Sequence, residues 1–263
     1  MQHICPFLLI ASLAVAAWAA GKEPQPTSES PHRVLIVTGE DYKGHKWRQT
    51  APELKRIIEA DRRLRVEILD DLTKLAGTDL SPYAAVVMHF KNYDANVPGR
   101  AGFDRLTRYV ESGGGLVLVH FACGAFQEFK GDFEKLAGRV WNPKLRGHDP
   151  RGEFTVRIDD ANHPVTAGLS AFEITDELYT CLDGNTPIRV LASAVSKVDK
   201  KKYPIAFVLD YGQGRVFHSL LGHDVKALGS DGARRLYRRA TAWAAGLEPA
   251  AGPRSKKGES NDR

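Results

Sequence analysis

Cysteine is scarce in this chain: three residues in 263, one of them, Cys5, close to the amino terminus. A disulfide-stapled scaffold is excluded, and Cys123 and Cys181 are left either to pair or to sit as two packed thiols. None of the nine histidines has a glutamate two positions on, so the His-x-Glu base of a cysteine amidotransferase is missing. No His-Glu-x-x-His run or other compact metal motif occurs. The formal charge of +5 is modest and dispersed. Arg234-Arg235 with Arg238-Arg239 fall at helical spacing, Lys200 to Lys202 sits in an expected loop, and Arg254 to Lys257 lies near the end. None is interleaved with aromatics in the way a nucleic-acid surface would be, which argues against that partner. No internal repeat is visible, and no linker interrupts residues 33–246.

What is present is ordinary for a globular protein: 43% hydrophobic and 26% charged residues suffice for a sizeable core. Residues 1–20 form an apolar, alanine-rich stretch ending in Ala17-Trp18-Ala19-Ala20, an A-x-A cleavage pattern that predicts a secretory signal. The run from Ile4 to Ala20 is too short and too soon interrupted for a stable membrane span. The expectation is a secreted or periplasmic protein, with an uncleaved N-terminal anchor as the alternative. Residues 21–32, rich in Pro, Ser and Glu, read as a disordered leader, and residues 247–263 as a disordered tail.

Between them the chain is organised around Ser112 to Phe126. Three glycines stop a helix; Leu116-Val117-Leu118-Val119 then reads as a strand buried on both faces. Strands are also expected at 33–38, 65–69, 84–90, 153–158, 189–194, 205–209 and 215–220. Thr50 with Glu53 reads as a capping box opening a helix. Phe103, Leu106 and Val110 mark a second helix, 132–137 a short one, and 230–245 the last. The βαβ order argues for an α/β fold with a mostly parallel sheet. Loops after parallel strands open on one edge, so Glu40 to His45, Phe90 to Tyr93 and His120 to Gly124 should border one crevice. The glycine triplet lies at the opposite edge and reads as a turn.

Two chemistries suit the crevice. Cys123, after a buried strand and before Gly124, has the placing of a nucleophile, but its base is missing. His45, His120, His148, His163, Glu177 and His223 with Asp224 offer imidazoles and carboxylates for a metal or acid–base cluster. His163, before Pro164, reads as a turn former. His120 and His223 each end a strand and are the stronger candidates.

The segments Arg33–Thr38, Ser112–Phe126, Asn162-His163-Pro164 with Gly168-Leu169, Asp176-Glu177-Leu178-Tyr179, and Tyr211 to Phe217 running on to Gly222-His223-Asp224 together resemble the ThuA-like (trehalose-utilisation) family over about residues 33–246. The resemblance implies a flavodoxin-like, class I glutamine-amidotransferase-like three-layer sandwich without the glutaminase triad. It also implies a place in carbohydrate metabolism, particularly of disaccharides oxidised to keto-sugars. Family members commonly carry Ala-Ala after the strand histidine where this chain has Phe121-Ala122-Cys123, so a thiol role would be peculiar to this chain.

The leading expectation is therefore an exported enzyme acting on a sugar or keto-sugar. His120 and His223 are the acid–base groups or metal ligands, Asp224 orients His223, and Glu177 is their carboxylate partner. Tyr42, His45, Asn92, Tyr93 and Trp141 are candidates to bind the sugar. A divalent metal, zinc before iron, would sit on His120, His148 and His223. A non-catalytic sugar-binding or partner-docking module on the same fold is the alternative, and a thiol hydrolase working through Cys123 a third. A homo-oligomer stays open.

Overall fold

The computed structural model describes residues 30–40 and 44–250. The expected signal segment, most of the leader, Tyr42 and the tail beyond residue 250 lie outside the described residues. The order of elements is β1 (His32–Val37), α1 (Trp47–Ile58), β2 (Leu64–Leu69), β3 (Ala85–Met88), α2 (Gly99–Glu111), β4 (Gly115–Val119), α3 (Lys130–Ala137), β5 (Gly152–Ile158), β6 (Phe172–Asp176), β7 (Arg189–Val195), β8 (Lys202–Tyr211), β9 (Gly214–Ser219), α4 (Val225–Leu228) and α5 (Asp231–Ala244).

The nine strands of the described residues join one sheet in the order β2-β1-β3-β4-β9-β8-β7-β5-β6. The pairings from β2 through β9 are parallel, and those from β9 out to β6 are antiparallel. The sheet is therefore mixed, which corrects the expectation of a mostly parallel one. The physical reason lies in the connections. Up to β4 each strand returns through a helix or a 3-10 turn, as parallel neighbours require. β8 instead turns directly into β9 through Gly212-Gln213, with Gly212 at φ +59°, and a two-residue turn can join only antiparallel strands.

Two apolar layers sandwich the sheet. Alternate residues of β1 point to opposite faces: Val34 and Ile36 pack with Leu54, Ile57 and Ile58 of α1 and Leu236 and Tyr237 of α5. Leu35 and Val37 pack with Phe103, Leu106 and Val110 of α2 and Phe133 and Leu136 of α3. The core of β4 is buried throughout, in accord with its unbroken apolar run. Three details depart from the sequence reading. Helix α1 begins three residues before Thr50, with Lys46 at its N-cap; Thr50 is buried in the first turn and donates to the Lys46 carbonyl. β6, with only Ile174 as a buried apolar residue in a five-residue segment, carries too little pattern to be read as a strand. Residues 247–250 run beside α5, where Leu247 packs on the core and Arg239 donates to the Ala250 carbonyl.

The glycine triplet is a close-packed turn at the lower edge. Gly113 sits at φ +107°, and a Cβ on Gly114 would meet the Tyr109 ring at 2.3 Å. A Cβ on Gly115 would stand 2.3 Å from the Ala244 carbonyl oxygen, where α5 crosses β4. Replacing Gly115 by alanine is expected to cost about 1–3 kcal/mol of unfolding free energy, the usual range for overpacking a tight core. Urea denaturation measures it, and an unchanged midpoint would mean that α5 approaches β4 less closely.

Candidate functional site

Strand direction decides what converges. β1, β3, β4 and β9 run the same way, and four antiparallel steps from β9 bring β6 back to that direction. The carboxyl ends of all five therefore open on one edge, and His45, His120, Glu177 and His223 meet there. One ligating atom from each lies within 4.8 Å of the others.

His120 ends β4 in the left-handed region, at φ +49°, and opens a 3-10 turn through Gly124. A non-glycine residue held there is strained, and such strain collects at functional sites. Its ring is fully buried and stacks on Tyr179 at 4.5 Å. Nδ1 lies 2.8 Å from the Leu220 carbonyl. A carbonyl only accepts, so Nδ1 carries the hydrogen and Nε2 presents its lone pair to the cluster. His120 Nε2 is 3.6 Å and His223 Nδ1 3.1 Å from the same oxygen, Glu177 Oε2. Among the described residues neither nitrogen has an aligned hydrogen-bond partner, although both are buried. His45 stacks on Phe121 at 4.3 Å and meets His120 and His223 edge-on at 5.1 and 4.9 Å.

Burial alone would push the Glu177 carboxyl up, but the His120 and His223 imidazoles, in their protonated forms, outweigh it and hold it well below the ordinary carboxylate range. The same carboxylate raises His223, while burial pushes His45 down to about 2. The donor set fits a divalent cation. With metal–ligand bonds of about 2.0–2.1 Å, the edge of a tetrahedron is about 3.3–3.4 Å, and 3.1 and 3.6 Å straddle it.

Asp224 does not orient His223. Its carboxylate caps α4 at the Ala227 amide and pairs with Arg151 at 2.6 Å. The orienting acid is Asp176, fully buried, which accepts from the amides of Glu177, Gly222 and His223 at 2.8, 2.7 and 3.2 Å. The only sequence signal for it was its place beside Glu177. His148 stands outside the four: its Nδ1 bonds the Asp149 carbonyl and is 4.0 Å from Glu177 Oε1. It does line the adjoining cavity of about 230 Å³, with Trp141, Tyr93, Tyr179 and Lys91. Asn92 is structural, accepting from the Phe126 amide and donating to Glu128. His163 accepts from the Val165 amide within its own turn, away from the cluster. His89, which sequence reasoning passed over, lies beneath Phe121 and bridges Thr38 and Thr50 at 3.1 and 3.2 Å.

Cys123 also lines the cavity, but it is wholly buried and burial pushes its thiol up to about 12. Both Cys123 and Cys181 are free thiols, and the nucleophile reading has no support in this geometry.

A buried histidine–carboxylate cluster at the strand ends of a mixed, helix-covered sheet defines an α/β protein with a cation-competent site. Residues 33–244 match the ThuA family, described as trehalose utilisation, and the chain belongs to that family. Among solved structures it is similar to a ThuA-like protein of Parabacteroides merdae, 27% identical, with a TM-score of 0.74 over 85% of this chain and 94% of that one. A ThuA-like protein of Bacteroides uniformis is 21% identical, with a TM-score of 0.69 over 85% and 95%. A β-galactosidase of Bacillus circulans shares the fold at 12% identity and a TM-score of 0.54, over 84% of this chain and 32% of that one. No curated protein matches. Among the described residues no helix is long and apolar enough to cross a membrane.

Two predictions follow from the buried groups. Burial lowers His89 to about 3 and His218 to about 4, and His45 shifts in the same direction. All three rings take up protons on unfolding between pH 6.5 and 4.5, so stability falls as pH falls. The His223 contribution is already complete below about pH 6.5, and Asp176 and Glu40, both raised by burial, oppose. Urea denaturation at pH 4.5 should give roughly 3–5 kcal/mol less than at pH 6.5; a flat profile would mean that the rings are charged in the fold. Iodoacetamide at pH 8 should leave Cys123 unmodified until the protein is denatured, and native-state alkylation at that position, read by peptide mass, would restore the nucleophile.

Proposed function

We propose that this chain is an exported enzyme of carbohydrate utilisation that acts on a sugar or keto-sugar at the His45–His120–Glu177–His223 cluster with the help of a divalent cation, zinc being the natural fit for three imidazoles and a carboxylate. The observation that carries the reading is the convergence of those four donor atoms within 4.8 Å, beside a cavity with aromatic walls. Membership of a family described as trehalose utilisation supports the substrate class. Export rests on the amino-terminal pattern of residues 1–20.

A zinc held by three of the four donors would keep an open position at which to polarise a carbonyl or hydroxyl oxygen or acidify a bound water. The chain's own residues do the rest. His120 cannot turn its ring without breaking the bond to Leu220, so its lone pair stays aimed into the site. Glu177 keeps its charge, and without a cation the proton of the pair rests on His223 Nδ1. Cation and proton then compete for that nitrogen, and cation affinity rises with pH. Trp141 offers a flat apolar face to the carbon side of a sugar ring, with Tyr179 set 5.7 Å from it.

The purified chain should take up one zinc, more tightly at pH 8 than at pH 6. Glu177→Gln and His223→Gln remove direct donors and should each weaken uptake by at least the roughly 10–100-fold that loss of an outer-shell partner costs, with circular dichroism and the metal-free melting temperature retained. No uptake by the unaltered protein, or uptake untouched by both substitutions, would sink the metal-assisted reading and favour a sugar-binding module without chemistry.

A further inference from the structure

Among the described residues, the cavity beside the cluster holds one cation that the reading above leaves unused. Lys91 follows β3, and its stem lies flat across Gly124, where a Cβ would stand 2.9 Å from Lys91 Cδ. The ammonium sits between two rings, 5.3 Å from the centre of Tyr93 and 5.6 Å from that of Trp141. Trp141 is itself seated: its amide donates to the Cys123 carbonyl, and a Cβ on Gly147 would strike its ring at 1.7 Å. Packing thus holds Lys91 at the cavity.

Among the described residues no carboxylate pairs with it. Glu177, the one acid among the described residues lining the cavity, is engaged by His120 and His223. Ring faces attract a cation, but they do not satisfy its three N–H donors as oxygen acceptors do. An anionic ligand would supply the oxygen acceptors that the two rings cannot, in a charge-assisted hydrogen bond. A divalent cation in the cluster would make the cavity more positive still.

We propose that Lys91 is an anion-recognising group, and that the sugar taken by this cavity carries a carboxylate: an aldonic or uronic acid in place of a neutral sugar. The inference rests on the carbohydrate reading of the cavity but not on the metal. Trp141 receives the ring, Lys91 receives the carboxylate, and the histidine cluster is left for the reacting oxygens.

Titration calorimetry with D-glucuronate and D-glucose, which share a ring and differ in the carboxylate, provides the test. The zinc-loaded chain should bind glucuronate at least about tenfold more tightly than glucose, the scale of a charge-assisted pair. Lys91→Met keeps the stem's length and packing. It should erase that preference while leaving glucose affinity and zinc uptake unchanged. Equal affinity for the two sugars, no binding of either, or a preference that survives in Lys91→Met would each overturn the assignment, the last because the cation alone would then be holding the carboxylate. The same titration on metal-free protein separates the two readings: a Lys91-dependent preference there upholds this one even if zinc uptake fails.

Discussion

Everything at the strand edge depends on one buried carboxylate. Asp176 ends β6, has no solvent contact, and accepts three amide hydrogens, from Glu177, Gly222 and His223. Through them it ties the last strand of the antiparallel half to the segment leaving β9, four strand positions away in the sheet. Burial pushes its own carboxyl up, so the amides partly compensate a real cost. What that cost secures is register: Glu177 and His223 face one another because their backbones hang from the same two oxygens.

The second constraint is the turn at the end of β4. The left-handed residue at a sharp strand-to-helix turn is the one thrust into the crevice, and here that residue is His120. Cys123 sits one 3-10 turn further on, folded back into the core. The thiol and the imidazole thus have opposite fates within four residues: one is sealed and protonated, the other aimed and anchored.

Much of the parallel half was legible from sequence, because doubly buried strands write continuous apolar runs and glycines mark where they begin. The antiparallel half was legible as strands but not as a direction, which depends on short connections and on β6, whose five residues carry little pattern. His120 and His223 could be nominated because each ends a strand, and Glu177 because it belongs to the acidic segment Asp176-Glu177-Leu178-Tyr179. His45 was named among the cluster candidates but assigned to the sugar-binding set, since no periodicity tells how far a segment after β1 folds back over a site. Asp224 was chosen over Asp176 as the acid orienting His223 because it adjoins that histidine in sequence; hydrogen bonding followed space instead. That His45 rather than His148 completes the cluster, and that Asp176 is its orienting acid, were the parts that only the folded sheet could reveal.

The four donors come from residues 45, 120, 177 and 223, so no local piece of chain contains two of them. Closing such distant contacts is slow and entropically costly, and it is complete only when both halves of the sheet have docked. The site is therefore a late product of folding. A ligand bound there would be linked to the global unfolding equilibrium, since the open chain offers it nothing comparable. Occupancy of the cluster would then act as a clasp across the whole sheet, and it would report whether the chain had finished folding as well as whether it could react.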